Sequence, residues 1–363
     1  MKLLNSQSSK KNPKKVKEEE ESEFVIRNSD FSINNDDKSK KNRNESNKIM
    51  DSNNNIYTKD ISMISNFGIK CCKSLTQAGK ERTGHRKKNQ DNYIIEKNIN
   101  KVLEFNIFAV LDGHGDNGHM VSQLASKYLI KKISTITSIY SDIETIYNFL
   151  KKSDFKEIIK IFLEIDKEII EQQKFDIMRS GSTCVLIIQL GVHIICANIG
   201  DSRAILVYEE HCISKIFELS HDSKPELPEE KKRIIRMGGL VQQVKNEKGE
   251  GIGPFRVYDK TSEQPGLAMS RSFGDKKGKM CGVISYPEII EYNLNNHDSK
   301  YMVICSDGVW EILSNEEVMN IGNNYYKENN ISEFCNNLLK TTTKIWEEEE
   351  NYMDDITILV VFF

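Results

Sequence analysis

The sequence contains few of the features that mark fibrous or membrane proteins. It has 6 Pro and 20 Gly among 363 residues, which excludes a collagen-like repeat. No run of about 18 apolar residues occurs, and a chain without one is not expected to cross a membrane as a helix. An excess of one charge is also missing, because 51 Lys and Arg stand against 54 Asp and Glu. The composition therefore gives no reason to expect a nucleic-acid partner.

The cysteines and the first residues do not point to an extracellular or membrane-anchored protein. The eight cysteines lack the spacing of a zinc site or a disulfide framework, since no CxxC is followed by a second CxxC or by HxxxH. Residues 1–5 turn polar at once, and residue 2 is Lys rather than the Gly that N-myristoylation requires. We therefore expect a reducing compartment, cytoplasmic, nuclear or both, and no membrane partner.

The chain divides into a polar N-terminal segment and a longer part with regular apolar runs. Residues 1–66 hold 12 Asn and 11 Ser, and their apolar residues follow no period, so we expect a disordered, low-complexity tail. A basic run at 10–15 precedes four glutamates at 18–21, which fits either a nuclear-localisation or docking signal or a solvated extension, and composition favours the extension. Residues 67–363 contain no second linker or repeat and predict one large domain.

Short apolar runs rich in Val and Ile predict buried strands, and longer runs with a 3.6-residue period predict helices. The strand candidates are 105–111, 184–188, 192–197, 204–208, 301–305 and 356–363, and the helix candidates are 120–129, 155–170 and 332–346. Asp154 and Glu157 have the spacing of a capping pair at the second helix. The crossovers are too few for an alternating parallel sheet, so we expect an α+β fold of antiparallel sheets covered by helices.

Acidic residues recur at the ends of these strands. Asp112, Asp201 and Asp307 each follow an apolar strand, whereas Asp91 and Asp354 each precede one. Taken singly, each motif is typical of an ordinary turn. If the strand ends converge, however, the carboxylates share one rim, and such a cluster must be protonated or neutralised by a cation. Oxygen ligands without His or Cys favour hard ions such as Mg²⁺ or Mn²⁺.

Short motifs rich in Asp and Gly are spread along residues 86–357. In chain order they are Arg86, NQDN at 89–92, FAVLDGHG at 108–115, GSTC at 181–184, ANIGDSR at 197–203, HDSKP at 221–225, LAMSRSFGD at 267–275, CSDGVWE at 305–311 and DDIT at 354–357. Together they resemble the metal-dependent Ser/Thr protein phosphatases of type 2C, in that family's order. The resemblance implies a four-layer α-β-β-α sandwich, in which two packed antiparallel sheets are flanked by helices.

The resemblance also implies an activity and a set of site residues. The activity would be hydrolysis of phosphoserine and phosphothreonine in proteins by a hydroxide that bridges two Mg²⁺ or Mn²⁺ ions, with a third ion at a weaker position. Arg86 would bind the phosphate, His114 would act as general acid, and Asp91 would orient the water. The implied metal ligands are Asp112 as the bridge, the Gly113 carbonyl, Gln90, Asp91, Asp307 and Asp354, with Asp201 and Glu311 at the third position.

Some assignments leave alternatives open. Asp354 is preferred to Asp355 as the ligand because the pattern Asp-x-x-Thr fits it. Gln90 stands where the family commonly has Glu, and it is the feature that favours a second hypothesis, a catalytically weak pseudophosphatase that binds phosphoproteins. The segment 224–265, rich in Gly and Pro, resembles the family's flap beside the catalytic cleft. Either hypothesis implies phosphoprotein partners, and we expect a monomer.

Overall fold

Antiparallel strands form the centre of the molecule. This computed structural model describes residues 57–62, 68–261, 264–349 and 352–363. The strands in these ranges are β1 (Tyr57–Ser62), β2 (Cys71–Gln77), β3 (Asn92–Glu96), β4 (Phe105–Leu111), β5 (Gly113–His114), β6 (Gly181–Ser182), β7 (Cys184–Leu190), β8 (His193–Ile199), β9 (Arg203–Glu210), β10 (Ile213–Glu218), β11 (Gly239–Lys245), β12 (Gly251–Asp259), β13 (Pro265–Leu267), β14 (Phe273–Gly274), β15 (Glu288–Asn293), β16 (Asp298–Cys305) and β17 (Ile356–Phe362).

Two sheets carry most of these strands. The first sheet has the order β1-β2-β17-β16-β9-β10, and the second has the order β15-β8-β7-β4-β3. Neighbouring strands in both sheets pair antiparallel. The β7–β8 hairpin turns at Gly191, whose φ of +57° lies in the left-handed region that glycine adopts without strain. Each apolar run predicted as a strand lies in one of these two sheets.

Helices flank the sheets. They are α1 (Gly118–Thr137), α2 (Ile143–Lys152), α3 (Lys156–Glu171), α4 (Pro228–Arg236), α5 (Lys276–Met280), α6 (Asp307–Trp310), α7 (Asn315–Lys327) and α8 (Ile331–Glu349). Among the described residues, none of these helices combines the length and the apolar character that a membrane span requires. The three helical runs predicted from the sequence correspond to α1, α3 and α8.

The predicted capping pair at α3 is wrong. The residue that precedes α3 is Phe155, and it makes no side-chain cap. Asp154 and Phe155 both have left-handed backbones, and their N–H groups donate to the carbonyls of Lys151 and Leu150 at the end of α2. These two residues therefore close α2 in a Schellman-like turn, and their backbone geometry leaves Asp154 unable to start the next helix.

Three buried layers hold the sheets and helices together. Between the sheets lie apolar side chains from both, such as Phe108 and Val110 of the second sheet and Leu359 and Val361 of the first. Helices α1, α2 and α3 cover the outer face of the second sheet, and α7 and α8 cover that of the first. The arrangement is the four-layer α-β-β-α sandwich, so the predicted fold class is confirmed.

Two predicted segments have a more specific outcome. Of the predicted tail, the structure describes only Tyr57–Ser62, which pairs with β2 at the edge of the first sheet; the rest of the tail, including its charged runs, lies outside the described residues. Such edge pairing uses backbone hydrogen bonds, and these leave no apolar pattern in the sequence. The flap-like segment 224–265 contains α4 and the β11–β12 hairpin, which forms a small separate sheet with β13.

Candidate metal centre

The strand ends bring the predicted carboxylates to one place. Asp112 directly follows β4, Asp307 begins α6 directly after Ser306 at the end of β16, and Asp201 lies in the turn between β8 and β9. The Asp112 carboxylate is close enough to Asp307, Asp91 and Asp354 to interact with each of them electrostatically. Asp307 interacts in the same way with Asp201 and Asp354. The carboxylates that sequence reasoning expected to share a rim therefore do so.

The excess of negative charge shifts the protonation of these groups. Burial, followed by the charge of Asp307, raises the pKa of Asp112 well above its usual range. Burial and the charge of Asp201 do the same to the pKa of Asp307. Burial and Asp355 raise the pKa of Asp91 to about 7. Without a cation, the centre of the rim therefore favours protonated carboxyl groups.

Several buried oxygen atoms of the rim lack a hydrogen-bond partner within the described part of the chain. They are Asp91 Oδ1, Asp201 Oδ1, Asp307 Oδ1 and the side-chain oxygen of Gln90, Oε1. Such atoms are costly to bury unless something binds them. These atoms are carboxylate and amide oxygens, the ligand type that Mg²⁺ and Mn²⁺ prefer, so the residues fit these ions. As the side chains stand, no three His, Cys, Asp or Glu of the described residues form a ready ligand group.

Two lysines contact the outer carboxylates. Lys87 Nζ lies 2.6 Å from Asp354 Oδ1, and Lys224 Nζ lies 2.6 Å from Asp201 Oδ2. Burial lowers the pKa of Lys224, but the charge and the hydrogen bond of Asp201, together with the charges of Asp222 and Asp307, outweigh burial and raise the pKa overall. Asp354 holds the ammonium group of Lys87 although the Lys87 side chain is partly exposed. These lysines supply positive charge at two of the positions where metal ligands were predicted.

Backbone packing fixes the central motif. The N–H of Asp112 donates to Thr183 Oγ1 at 2.9 Å, and the N–H of Thr183 donates to the Asp112 carbonyl at 2.8 Å. A Cβ atom at Gly113 would lie 2.5 Å from the carbonyl oxygens of both Gln90 and Gly118, so only glycine fits there. Gly113 thus brings its backbone directly against the loop that carries Gln90.

The two neighbouring aspartates before β17 have different surroundings. Both carboxylate oxygens of Asp355 accept backbone hydrogen bonds, from Gly79 at 2.7 Å and from Gln90 at 2.8 Å. Asp355 is therefore committed to holding the loop that leads into β3. The Gly79 and Gln90 N–H groups donate to Asp355 and not to Asp354. The Asp354 carboxylate interacts electrostatically with Asp112, Asp307 and Glu311.

The remaining predicted residues lie around this centre. Ser306 Oγ donates to Asp91 Oδ2 at 2.9 Å. Burial, Asp201 and Asp354 raise the pKa of Glu311, which directly follows α6. Arg86 is exposed. The backbone of Lys80 forms isolated β-bridges to Arg86 and to Met353, the residue before Asp354. The loop of Arg86 therefore lies at the edge of the rim.

His114 has a carboxylate partner that sequence reasoning did not identify. Its Nε2 lies 2.7 Å from Asp275 Oδ2. Burial lowers the pKa of His114, whereas the charge and the hydrogen bond of Asp275 raise it, and the pKa is raised overall. Asp275 ends the motif at 267–275, so it was visible in the sequence, but nothing in the spacing of two residues 161 positions apart indicated their contact.

Comparisons with known proteins identify a family to which the chain is similar. The family model described as protein phosphatase 2C matches residues 76–348. "Probable protein phosphatase 2C 34" of Arabidopsis thaliana is 31% identical over 294 residues, covering 78% of this chain and 79% of the relative. "Probable protein phosphatase 2C 72" of the same plant is 32% identical over 278 residues, covering 76% of this chain and 81% of the relative.

Solved structures share the fold. The serine-threonine phosphatase 2C of Toxoplasma gondii superposes with a TM-score of 0.70 at 20% identity, covering 85% of this chain and 99% of that one. A C. elegans sex determining protein superposes with a TM-score of 0.61 at 17% identity, covering 82% of this chain and 65% of that one. At these identities the structures support the fold alone. The family model and the curated relatives show the family as well. The chain belongs to the protein phosphatase 2C family, and with it to the metal-dependent protein-serine/threonine phosphatases.

Proposed function

We propose that this chain hydrolyses phosphoserine and phosphothreonine in proteins by direct attack of water, with Mg²⁺ or Mn²⁺ bound at the carboxylate rim. The observation that carries the proposal is the group of buried oxygens on Asp91, Asp201, Asp307 and Gln90 that have no hydrogen-bond partner among the described residues. When bound, two or three such ions would cancel negative charge and make water more acidic. The proposed ligands are Asp112, the Gly113 carbonyl, Gln90, Asp91, Asp307 and Asp354, with Asp201 and Glu311 at the weakest position.

The protein's own groups would then position the substrate. A phosphomonoester carries two negative charges, and the guanidinium of Arg86 is suited to hold it through paired, charge-assisted hydrogen bonds. Because Arg86 lies at the edge of the rim, it can meet the phosphate from the solvent side. Asp91, held by Ser306, would orient the attacking water. No phosphorylated enzyme intermediate is needed in this scheme.

The departing Ser or Thr alcohol needs a proton, and we assign that role to His114. Its imidazole lies two residues after Asp112 and is only partly exposed. A positioned acid of this kind typically contributes about 10²–10⁴-fold to the rate. The contribution is largest for alkyl leaving groups, because an alkoxide is a much stronger base than an aryl oxide.

The alternative is a pseudophosphatase that binds phosphoproteins and turns them over weakly. The Gln90 amide is its main support, since a neutral oxygen binds Mg²⁺ less strongly than a carboxylate does. Turnover of a phosphothreonine peptide and of para-nitrophenyl phosphate should be measured with Mn²⁺, with and without EDTA. Turnover that depends on Mn²⁺ is expected, and its absence would favour the binding protein.

A single substitution tests the site. Asp112→Asn should lower Mn²⁺-dependent turnover by more than about 100-fold, since a ligand contributes at least as much as the residues that orient it. Mn²⁺ binding, followed by calorimetry, should weaken in parallel. The matched control is Asp116→Asn, which makes the same change at an exposed position four residues away. Rates and affinities of Asp112→Asn that equal those of the control would refute the assignment.

A further inference from the structure

The contact between His114 and Asp275 is built into the interior of the protein. The Asp275 side chain is 1% exposed, and its Oδ2 contacts His114 Nε2 at 2.7 Å. Ser272 Oγ donates to the same oxygen at 2.6 Å. A buried carboxylate that accepts two hydrogen bonds has a fixed direction, and it fixes the direction of the imidazole in turn.

The backbone around Asp275 is shaped to allow this contact. Asp275 has a φ of +46°, which an ordinary side chain adopts only at a cost, and its N–H donates to the Ser180 carbonyl at 2.9 Å. A Cβ atom at Gly181 would lie 2.1 Å from Asp275 Oδ2. The carboxylate can therefore reach His114 only because glycine occupies position 181. Strain and close packing of this kind at one side chain are typical of functional sites.

Within the part of the chain that the structure describes, the second ring nitrogen of His114 has no hydrogen-bond partner. Nδ1 is buried and makes no hydrogen bond within the described residues. Because the carboxylate can only accept, the contact at Nε2 requires a hydrogen on that nitrogen. In the neutral ring, Nδ1 then carries the lone pair, and in the charged ring it carries the second hydrogen. Nδ1 is thus the ring nitrogen whose proton is not committed to a carboxylate among the described residues.

We propose that Asp275 is a positioning residue that holds Nε2–H of His114 and thereby makes Nδ1 the atom that gives its proton to the leaving alcohol. The inference rests on the proposed function and specifies how His114 would serve it. In the step, water forms the new P–O bond, the bond to the Ser or Thr oxygen breaks, and its electron pair takes the Nδ1 proton. The products are inorganic phosphate, the alcohol and a neutral imidazole that still donates to Asp275.

A merely structural role is the competing explanation. The same buried region contains a second carboxylate, Asp166, which accepts from the Gly274 N–H at 2.8 Å and lies 3.2 Å from Lys279 Nζ. Asp166 makes no contact with His114 among the described hydrogen bonds and ion pairs. Loss of either carboxylate would disturb packing, but only loss of Asp275 would change proton delivery. Asp166→Asn is therefore the matched control.

The experiment compares leaving groups. Asp275→Asn, His114→Ala, the double variant and Asp166→Asn are assayed with Mn²⁺ on a phosphothreonine peptide and on para-nitrophenyl phosphate, whose leaving group needs no proton. Asp275→Asn should lose at least about tenfold more kcat on the peptide than on the aryl ester, with little change in KM. The double variant should be no slower than His114→Ala. Asp166→Asn should affect both substrates equally.

The outcomes separate this inference from the proposed function. If His114→Ala itself slows both substrates equally, the general-acid role of His114 is wrong and the role of Asp275 falls with it, whereas Mn²⁺-dependent turnover of the peptide would still support the proposed hydrolysis. If His114→Ala discriminates between leaving groups while Asp275→Asn does not, only the role of Asp275 is refuted. Losses that add in the double variant would also refute it.

A spectroscopic measurement covers the case in which Asp275→Asn does not fold. In the wild-type protein with Mg²⁺ and ¹⁵N-labelled His, the neutral His114 ring should carry its hydrogen on Nε2. Its signal is assigned by its loss in His114→Ala. A neutral ring with the hydrogen on Nδ1 would overturn the proposal.

Discussion

A buried glutamate joins α4 to the motif at 267–275. Glu230 accepts hydrogen bonds from Arg233 at 2.7 and 2.8 Å, from Arg271 at 2.7 and 3.1 Å, and from the Ser270 hydroxyl. Its side chain is 7% exposed. Burial alone would raise the pKa of Glu230, but the hydrogen bonds outweigh burial and lower it from 4.5 to about 2. The charged carboxylate is therefore much better accommodated in the folded state than in the unfolded one.

Replacing Glu230 by Gln removes this charge and leaves two guanidinium groups without their shared partner. A lowering of the pKa by about 2.5 units corresponds to about 3.4 kcal/mol, and solvent near the Arg side chains reduces this free energy to roughly 2 kcal/mol. Because the folded pKa is below the unfolded one, the contribution is complete above pH 4.5 and is lost as the pH falls towards 2. We expect Glu230→Gln to lower the free energy of unfolding by roughly 2 kcal/mol at pH 7.

Urea denaturation at several pH values between 7 and 3.5 tests this prediction. The difference between wild type and Glu230→Gln should be nearly constant down to pH 5 and should shrink below pH 4.5. Glu229→Gln is the matched control, since its side chain is 82% exposed and pairs with Lys232 on the surface. That control should change stability by less than about 0.5 kcal/mol. If Glu230→Gln resembles Glu229→Gln, or if its effect does not depend on pH, the reasoning is refuted.

Two further substitutions test the rim. Gly113→Ala should lower both stability and Mn²⁺-dependent turnover, because its Cβ would lie 2.5 Å from two backbone oxygens; a folded variant with wild-type turnover would contradict this. Lys224→Met should make the metal-free protein less stable, because Asp201 loses its counter-charge. The same change should strengthen Mn²⁺ binding at the weakest site several-fold in calorimetry, because no ammonium group then competes for Asp201. Unchanged Mn²⁺ affinity would show that Lys224 does not compete with the ion.

The sequence predicted the strands and the positions of the acids well. Runs such as 105–111 are buried along their whole length because both faces of the strand are covered in the sandwich. A strand buried on both faces is apolar at successive positions, and this pattern is visible in the sequence. An acid placed directly after such a run is fixed at the strand's end whatever the sheet order. For this reason Asp112, Asp201 and Asp307 could be placed at strand ends from the sequence, whereas the convergence of those ends depends on the strand pairing that the structure shows.

Contacts between side chains on different elements could not be predicted in this way. Lys87 and Asp354 are 267 residues apart, and their contact depends on how the loop before β3 lies against the start of β17. The backbone hydrogen bonds from Gly79 and Gln90 to Asp355 set that arrangement. A charge in a loop looks the same in a sequence whether it faces solvent or a buried partner. The same limit explains the missed contact of Asp275.

The distribution of positive charge around the rim indicates where a cation is needed most. Lys87 and Lys224 contact Asp354 and Asp201, which lie towards the outside of the cluster. Among the described residues, no ion pair involves Asp112 or Asp307, although each is surrounded by other carboxylates. The lysines therefore form ion pairs at the periphery, whereas within the described residues the central Asp112 and Asp307 have no ion-pair partner. A divalent ion held by Asp112 and Asp307 would relieve more repulsion than one at an outer position, which supports the proposal that both residues are metal ligands.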